Sequence, residues 1–321
     1  MHSGKETLPL ISVVMPAYNA GDYICEAIES VLNQTYQNLE LLVVDDASTD
    51  DTRAKIRPYS DPRIRVFKNP KNLGKTASVN SVFKACRGSL VTIHDSDDVS
   101  LPNRFAVQVE IMLSNPELVM CGTNFITVDI RGKEVERSKL LIENATLKLG
   151  LEINSQFHGP TVVFRHQEAQ KLGDIYRPFF KDYNEDYDFC CRVSELGEVT
   201  NSQEHLYRYR ITPGSLSRSL TPQKKISMRI VQHLALQRKQ TGEDDIIRGK
   251  VQELEEMLES LAAPYRMDKS LIYRQQSELD FYYRFYRKAL KSSLIALIVN
   301  PLVLDNYRLL QHILRKRILG F

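Results

Sequence analysis

The sequence lacks several features that would assign a protein to a class at once. Its five cysteines form an odd set without C-x-x-C spacing, which argues against a disulfide framework or a zinc site and favours a reducing compartment. The 14 glycines and 13 prolines are too few for a collagenous or low-complexity chain. The formal net charge of +3 is too small for a general nucleic-acid binder, so no nucleic-acid partner is expected.

Long apolar runs are missing as well. The first ten residues contain nothing that resembles a signal peptide, and the uncharged, strongly apolar stretch near the C-terminus, 292–304, has 13 residues. As a helix that stretch would rise about 20 Å, less than the roughly 30 Å of a bilayer core. We therefore expect a cytoplasmic protein, with peripheral binding at the inner face of the plasma membrane as a further hypothesis.

Short β-branched runs alternate with amphipathic helical patterns over the first hundred residues. In the first helical pattern, apolar residues recur at the spacing of one helix face. The alternation predicts an α/β fold with a mostly parallel sheet flanked by crossover helices. The apolar runs are 11–15, 39–44, 64–67 and 90–94, and the first helix face holds Ile24, Ala27, Ile28, Val31 and Leu32.

The pattern changes twice further along the chain. Residues 101–220 show mixed periodicity, whereas the chain from 221 onward is helical and highly charged, with breaks predicted at Pro264 and Pro301. We therefore predict a first domain over 1–220 and a helical C-terminal region over 221–321.

Acidic residues are concentrated just after two of the predicted strands. Ligands of open parallel sheets bind at the carboxyl ends of the strands, so these positions are the expected site. Such a concentration of like charges is reasonable if a divalent cation and a phosphate ligand occupy the cleft. Helix capping by Ser48, Asp50 or Asp97 is the alternative. The acidic residues are Asp45, Asp46, Asp95, Asp97 and Asp98.

Two common nucleotide-binding loops are not found. Neither a G-x-G-x-x-G turn nor a G-x-x-x-x-G-K-[ST] loop follows any predicted strand, which argues against dinucleotide dehydrogenases and P-loop enzymes. Five other motifs occur in order: SVVMPAYN at 12–19, SVLNQTY at 30–36, VVDDASTD at 43–50, NLGK at 72–75 and DSDD at 95–98. Together they resemble family 2 of the inverting glycosyltransferases, which have the GT-A fold, and the likeness covers about residues 11–218.

The resemblance implies a donor site for a nucleotide-diphospho-sugar in about residues 1–100, with the acceptor half in about 101–220. Pro16, Ala17 and Tyr18 would line the nucleobase pocket, together with Asn19. Asp46, with Asp45 beside it, would accept the imide N–H of uracil or thymine, so a UDP-sugar is the expected donor. Lys75 would lie near the nucleotide, unless it is only a solvated lysine in the first turn of a helix.

The same resemblance implies a divalent metal cofactor, Mn²⁺ or Mg²⁺. Asp95, Asp97 and Asp98 correspond to the family's D-x-D region, which contacts the ribose and the metal that bridges the diphosphate. Of these, Asp97 and Asp98 are the expected metal ligands. A histidine that many members carry near the metal is replaced here by Thr212, and Arg210 or Arg218 could neutralise phosphate charge instead.

Inverting transfer needs a base on the acceptor side, because the acceptor hydroxyl attacks opposite the leaving diphosphate. The segment NEDYDF at 184–189 matches the family's E-D motif, which makes Asp186 the implied base and gives Glu185 a supporting role. An acidic helix N-terminus stabilised by the macrodipole is the alternative. His158, in the segment HGPTVVFR, would touch the phosphates or the acceptor, although a lone histidine is more often structural.

The C-terminal region is not covered by the resemblance. Residues 265–321 hold 11 Lys and Arg against 4 Asp and Glu, a local net charge of +7. Aromatic and basic residues alternate over 281–288, and 294–304 is strongly apolar. This composition favours an anionic membrane surface, and packing onto the catalytic domain is the alternative.

The resemblance therefore implies a metal-dependent hexosyl- or N-acetylhexosaminyltransferase of polysaccharide biosynthesis at the cell envelope, acting on a glycan or a lipid-linked saccharide. A catalytically silent nucleotide-sugar-binding or scaffold protein of the same fold is the alternative, although it would have no need for both the DSDD segment and Asp186. A nucleotidyltransferase is a weaker alternative, because PAYN at 16–19 is not a glycine-rich phosphate loop.

Overall fold

A computed structural model describes residues 8–181, 183–211, 221–282 and 286–319, with backbone only for 317–319. The chain divides into two compact units, Met1–Leu216 (unit 1) and Ser217–Phe321 (unit 2).

Unit 1 is built on one mixed sheet whose strands lie in the order β3-β2-β1-β4-β8-β6-β9-β5, with β7 paired to β6, in the described residues. β1 is parallel to β2 and β4, β2 is parallel to β3, and β6 is parallel to β9. The other neighbours are antiparallel. The strands are β1 Ile11–Ala17, β2 Leu39–Asp45, β3 Ile64–Lys68, β4 Leu90–Ile93, β5 Val99–Ser100, β6 Leu118–Val128, β7 Glu134–Arg137, β8 Val163–Arg165 and β9 Glu198–Arg210.

Helices accompany this sheet, together with two short 3₁₀ turns at Gly159–Thr161 and Pro178–Phe180. The helices of unit 1 are α1 Ile24–Leu32, α2 Thr52–Ile56, α3 Lys75–Phe83, α4 Arg104–Ser114, α5 Asn144–Leu151, α6 His166–Gln170 and α7 Glu185–Ser194.

The first four strands confirm the predicted parallel half of the sheet. All residues of β1 and β2 are buried, as expected of parallel strands that are covered on both faces. The apolar face of α1 is also inaccessible, with Ile24, Ala27 and Ile28 at 0% exposure. The continuous apolar runs therefore form the core of residues 11–100, and the polar residues lie at the ends of the strands.

Unit 2 is helical in the residues described, as the sequence predicts. Its helices are α8 Pro222–Thr241, α9 Val251–Met267, α10 Leu271–Tyr282, α11 Tyr286–Val299 and α12 Leu304–Leu319. Small residues allow α10 and α11 to pack closely, and the Ser277 hydroxyl donates to the Ala289 carbonyl at 2.7 Å. None of the helices in these ranges combines the length and the hydropathy that a bilayer span requires.

One of the two predicted helix breaks is wrong. α9 continues through Pro264 to Met267, because proline lies only one turn from the helix end and removes a single backbone donor there. The Asp268 amide still bonds to the Pro264 carbonyl at 2.9 Å and closes that last turn. The break at Pro301 is confirmed, since α11 ends at Val299 and α12 begins at Leu304.

Candidate active site

Three strands of unit 1 end side by side at one edge of the sheet. Ala17 at the end of β1 is paired with Asp45 at the end of β2, and β4 runs parallel to β1 on its other side. The segments that leave these strands therefore emerge together, and they begin with Tyr18, Asp46 and His94. This edge is the expected ligand site of a parallel sheet.

The last residues of β1 and the turn that follows them differ in burial. Pro16 and Ala17 are buried strand residues, whereas the Tyr18 ring is 47% exposed. Asn19 adopts a left-handed conformation with φ of 49°, and its side-chain oxygen accepts the Thr49 amide at 2.8 Å. The turn of 18–19 is therefore tied to the loop after β2, with an aromatic face left open beside it.

Asp45 and Asp46 are neighbours in sequence but have different surroundings. The Asp46 carboxylate accepts the Asn69 side-chain amide at 2.7 Å and the backbone amides of Leu73 and Gly74 at 2.9 Å each. One oxygen of Asp45 accepts the Ser48 amide at 2.9 Å, whereas its other oxygen is buried without a hydrogen-bond partner in the described residues. Asp46 therefore holds the loop that leads into α3, and Asp45 has an unused acceptor.

Lys75 forms an ion pair at the start of α3. Its ammonium lies 2.6 Å from an Asp95 carboxylate oxygen, and both side chains are about one quarter exposed, at 25% and 24%. Burial disfavours the ammonium, but the carboxylates of Asp95 and Glu185 outweigh it and hold the pKa of Lys75 well above its usual value. The lysine is therefore not the simple solvated residue that the alternative interpretation assumed.

The DSDD segment places its last two carboxylates in different environments. Asp98 is 1% exposed, and one of its oxygens accepts the Arg210 amide at 2.7 Å. Burial, together with the charges of Asp97 and Asp95, raises the pKa of Asp98 well above its usual value. Asp97 is only half-buried, and its backbone carbonyl accepts the Arg210 side chain at 2.9 Å.

These residues fit a cation that completes its shell with ligands from a substrate. Among the described residues, no group of three or more His, Cys, Asp or Glu side chains is arranged to hold a metal ion. Mg²⁺ is commonly held by one or two carboxylates together with substrate phosphates, which a single half-buried Asp97 would satisfy. Asp98 is enclosed and one of its oxygens is bonded to the Arg210 amide, whereas its other oxygen is buried without a hydrogen-bond partner in the described residues and is a second ligand of suitable chemistry.

The Arg210 side chain is buried and bonded within the protein. It is 5% exposed, and its guanidinium contacts Glu26 at 2.5 Å as well as the Asp97 carbonyl. The other two positions weighed for that region, Thr212 and Arg218, lie outside the described residues.

His158 lies in an aromatic enclosure. Its ring stacks on Phe125 with centroids 4.2 Å apart and meets the edge of Tyr209 at 4.7 Å. Burial lowers the pKa of His158 to about 4, although Asp95 opposes the shift, so the imidazole is neutral near pH 7. Its buried Nε2 has no hydrogen-bond partner in the described part of the chain.

The acidic start of α7 lies against the turn that follows His158. The Asp186 carboxylate accepts the Tyr187 amide at 2.8 Å, and Glu185 is 6% exposed. A Cβ atom at Gly159 would lie 2.5 Å from an Asp186 carboxylate oxygen, so only glycine leaves room for that side chain. The helix begins after Asn184, whose left-handed φ of 59° turns the chain into it.

Electrostatic interactions join the two ends of this site. Lys75 interacts with Asp95 after β4 and with Glu185 at the start of α7. Tyr176, which is buried beside them, has its pKa raised well above the usual value by burial and by Asp186 and Glu185, against the opposing effect of Lys75. Motifs more than one hundred residues apart in sequence therefore meet around one lysine.

The sequence analysis did not identify the buried charged residues that support this site. Arg104 is fully buried and donates to the Thr92 hydroxyl and to the Pro160 carbonyl at 2.8 Å each. Asp188 is also fully buried, between Arg177 and Arg192. A signal was available for Arg104, because Arg104 and Gln108 occupy the buried stripe of α4, where apolar residues are expected.

Two solved structures have the fold of this chain. A crystal structure of S. aureus TarS 1-349 in complex with UDP aligns with a TM-score of 0.58 and 17% identity, over 97% of this chain and 92% of that one. The mannosyltransferase PcManGT from Pyrobaculum calidifontis, in complex with GDP-Man and Mn²⁺, aligns with a TM-score of 0.55 and 17% identity, over 91% and 88%. At such identities the likeness establishes the fold alone, and that fold is GT-A with a C-terminal helical region.

The sequence places the chain more narrowly. The glycosyl transferase family 2 profile matches residues 12–173, half of the chain, and the chain belongs to that family. The match includes every proposed donor residue and His158, whereas Asp186 lies beyond it. The family predicted from the motifs is therefore confirmed.

Two relatives illustrate the extent of the similarity. An uncharacterized glycosyltransferase of Haemophilus influenzae is 34% identical over 223 residues, which are 64% of this chain and 67% of the relative. The Escherichia coli UDP-Glc:alpha-D-GlcNAc-diphosphoundecaprenol beta-1,3-glucosyltransferase WfgD is 38% identical over 144 residues, 44% of this chain. The match spans only 57% of WfgD, so its whole activity does not transfer to this chain.

Proposed function

We propose that unit 1, as the catalytic domain predicted over 1–220, transfers a hexosyl or N-acetylhexosaminyl group from a UDP-sugar to an acceptor hydroxyl with inversion. The observation that supports this most is the ion pair of Lys75 with Asp95 at 2.6 Å, together with the electrostatic interaction of Lys75 with Glu185. It brings the donor motifs to the acidic start of α7, where the attacking hydroxyl must lose its proton.

The base of the donor would bind between Tyr18 and Asp45. The half-exposed Tyr18 ring offers a stacking face, and the unpaired oxygen of Asp45 can accept the imide N–H of uracil. Asp46, which the sequence favoured for this contact, already accepts three hydrogen bonds from the 69–74 loop. We therefore assign base recognition to Asp45 and support of the loop to Asp46.

The diphosphate would lie beside Lys75 and Asp97. Asp97 would hold a divalent cation there, which would supply neutralising charge for the leaving diphosphate. Lys75 keeps its positive charge because its carboxylate neighbours hold its pKa high, and it would contribute a second cation on the same side. Asp98 supports the segment from within, through its bond to the Arg210 amide.

Asp186 would accept the proton of the attacking hydroxyl. It is half-buried in the first turn of α7 and packs over Gly159, while Glu185 is buried behind it beside Lys75. The bond from the hydroxyl oxygen to the anomeric carbon forms as the bond to the diphosphate breaks, and the proton goes to the carboxylate. By analogy with WfgD, the acceptor class would be a lipid-linked saccharide of a cell-envelope glycan.

The main test separates donor binding from transfer. Asp186→Asn should bind UDP with unchanged affinity in calorimetry while UDP release in the presence of Mn²⁺ and acceptor falls at least about a hundredfold. Asp97→Asn should lose the strengthening of UDP binding that Mn²⁺ provides. Near wild-type turnover in Asp186→Asn would require another base, and metal-independent UDP binding in the wild type would remove the cation from the proposal.

A matched set of variants controls for the loss of negative charge. Asp51 is exposed after the same strand end and pairs with Lys55 at 3.0 Å, so Asp51→Asn should leave UDP binding and turnover unchanged. Asp45→Asn should weaken UDP binding with little change in unfolding free energy, whereas Asp46→Asn should loosen the 69–74 loop. The opposite ranking of UDP affinities would return base recognition to Asp46.

A further inference from the structure

Unit 2 presents an apolar turn between α11 and α12 to solvent. We call residues 298–304 the apolar turn. Ile298 is 80% exposed, Leu302 is 90% exposed and Leu304 is 68% exposed. These exposures are unusual for large aliphatic side chains that lie close together, and a cluster of this kind indicates a binding surface.

A polar network fixes the backbone of this turn. The buried Asn306 side chain donates to the carbonyls of Ala296 at 3.0 Å and Asn300 at 2.8 Å. The Asn300 side chain donates in turn to Asp268 at 3.2 Å, and Arg274 bonds to both Asp268 and Asn306. The apolar turn is therefore held in one conformation, with its aliphatic side chains directed away from the polar network.

Basic residues lie behind the apolar turn on both helices. On α11 the exposed positions Lys291, Leu294 and Ile298 share one face, and seven residues of helix separate the Cα atoms of Lys291 and Ile298 by about 10 Å along the axis. On α12 the exposed residues are Leu304, Asp305, Tyr307 and Arg308, and Arg308 pairs with Asp305 at 3.0 Å. Residues 286–316 contain six basic side chains and one acidic side chain.

We propose that the apolar turn inserts into the boundary between headgroups and acyl chains of an anionic bilayer. Interfacial segments bury their apolar residues about 5–10 Å deep, which matches the distance from the turn to the basic residues. The lysine and arginine side chains would then meet lipid phosphates, and Tyr307 would lie at the depth where aromatic residues accumulate. The positive charge and the small projecting shape favour this surface over a flat protein partner.

The sequence offers a clean reporter of insertion, because it contains no tryptophan. In the full chain, Leu302→Trp should show blue-shifted emission with phosphatidylcholine vesicles that contain 30% phosphatidylglycerol, and brominated acyl chains should quench it. Gln311→Trp, about 10 Å further along α12, should be quenched less. The control Ile153→Trp, at a position 69% exposed in unit 1, should not respond.

Flotation with the same vesicles measures the contribution of each group. Ile298→Ser with Leu302→Ser should reduce vesicle binding at least about tenfold, because two apolar side chains no longer leave water. Leu149→Ser with Ile153→Ser, at 65% and 69% exposure, removes similar side chains from unit 1 and should change nothing. Lys291→Gln with Arg308→Gln should weaken binding and reduce its salt dependence.

Two results would overturn the proposal. Tryptophan emission at position 302 that ignores anionic vesicles would exclude insertion of the turn. A blue shift that needs no vesicles and grows with protein concentration would show that the turn binds a second copy of the chain. Neither readout depends on glycosyl transfer, so the outcome is independent of the proposed reaction.

Discussion

The two halves of unit 1 are stabilised in different ways. Residues 11–100 bury mainly aliphatic side chains, and β1, β2 and α1 have almost no accessible surface on their core faces. Residues 11–100 also bury carboxylates at the strand ends, such as Asp46 and Asp98, whereas residues 101–211 fully enclose Arg104 and the ion network of Asp188. The first half therefore depends on burial of apolar area, which tolerates small changes. The second depends on hydrogen bonds and ion pairs that are costly to leave incomplete.

The largest effect is expected from breaking the buried ion network in the second half. Asp188→Ala leaves Arg177 and Arg192 without their shared carboxylate and should lower the unfolding free energy by about 3–5 kcal/mol. Urea unfolding measures this. The triple replacement Arg177→Met, Asp188→Leu and Arg192→Met removes all the charges together and should recover most of the loss. A single variant that costs under about 1 kcal/mol would contradict the contrast between the halves.

A smaller loss is expected from filling the space beside Asp186. Gly159→Ala places a methyl group 2.5 Å from the Asp186 carboxylate and should cost about 1–3 kcal/mol of unfolding free energy. Transfer should fall with it, because the carboxylate must move. The control is Gly150→Ala, which meets only the flexible Gln156 side chain and should be nearly neutral. Equal effects of the two substitutions would remove the special role of Gly159.

Acid should destabilise the protein through its buried neutral histidines. Burial lowers the pKa of His94 to about 3 and that of His158 to about 4, so the unfolded chain binds protons that the folded chain does not. Below pH ~6.5 each histidine should therefore reduce the unfolding free energy by up to about 1.4 kcal/mol per pH unit. His158→Gln should show a shallower fall between pH 6.5 and 4.5, and an identical slope would mean that His158 is already protonated.

The smallest effect is expected from an exposed ion pair in the same second half. Lys171 contacts Glu168 at 2.7 Å, and its side chain is 55% exposed. Lys171→Gln should change the unfolding free energy by less than about 0.5 kcal/mol, and salt should remove even that difference. A larger effect would show that location in the second half, and not burial, decides how much an ion pair contributes.

The difference between residues 11–100 and residues 101–211 also explains which strands could be predicted from the sequence. Each of the first four strands was predicted to within two residues, because continuous apolar runs between amphipathic helices have one simple interpretation. The long strands β6 and β9 were not identified. β6 is buried at almost every position, and its pairing with β9 shifts register over Thr123–Phe125, so neither strand shows a regular alternation of buried and exposed residues.

The site was predictable as a set of motifs but not as an arrangement of groups. The spacing in DSDD does not reveal that Asp98 points inward to the Arg210 amide while Asp97 remains half-buried. Similarly, the sequence does not show which of the adjacent residues Asp45 and Asp46 accepts the backbone amides of the 69–74 loop. Those distinctions depend on partners far along the chain, such as Asn69 and Arg210, and a single sequence contains no direct record of such contacts.

The Asp46 contacts have a consequence for attempts to change the donor. Asp46 holds the amides of Leu73 and Gly74, and the very next residue is Lys75, which begins α3. Asp45, which would bind the nucleobase, and Lys75, which would lie beside the leaving diphosphate, are therefore connected through one hydrogen-bonded stretch of backbone. A redesign that exchanges the acids at the end of β2 to accept guanine should misplace the lysine at the same time. Successful redesigns should need compensating changes in the 69–74 loop, and libraries that randomise both segments together should yield active variants more often than libraries of either alone.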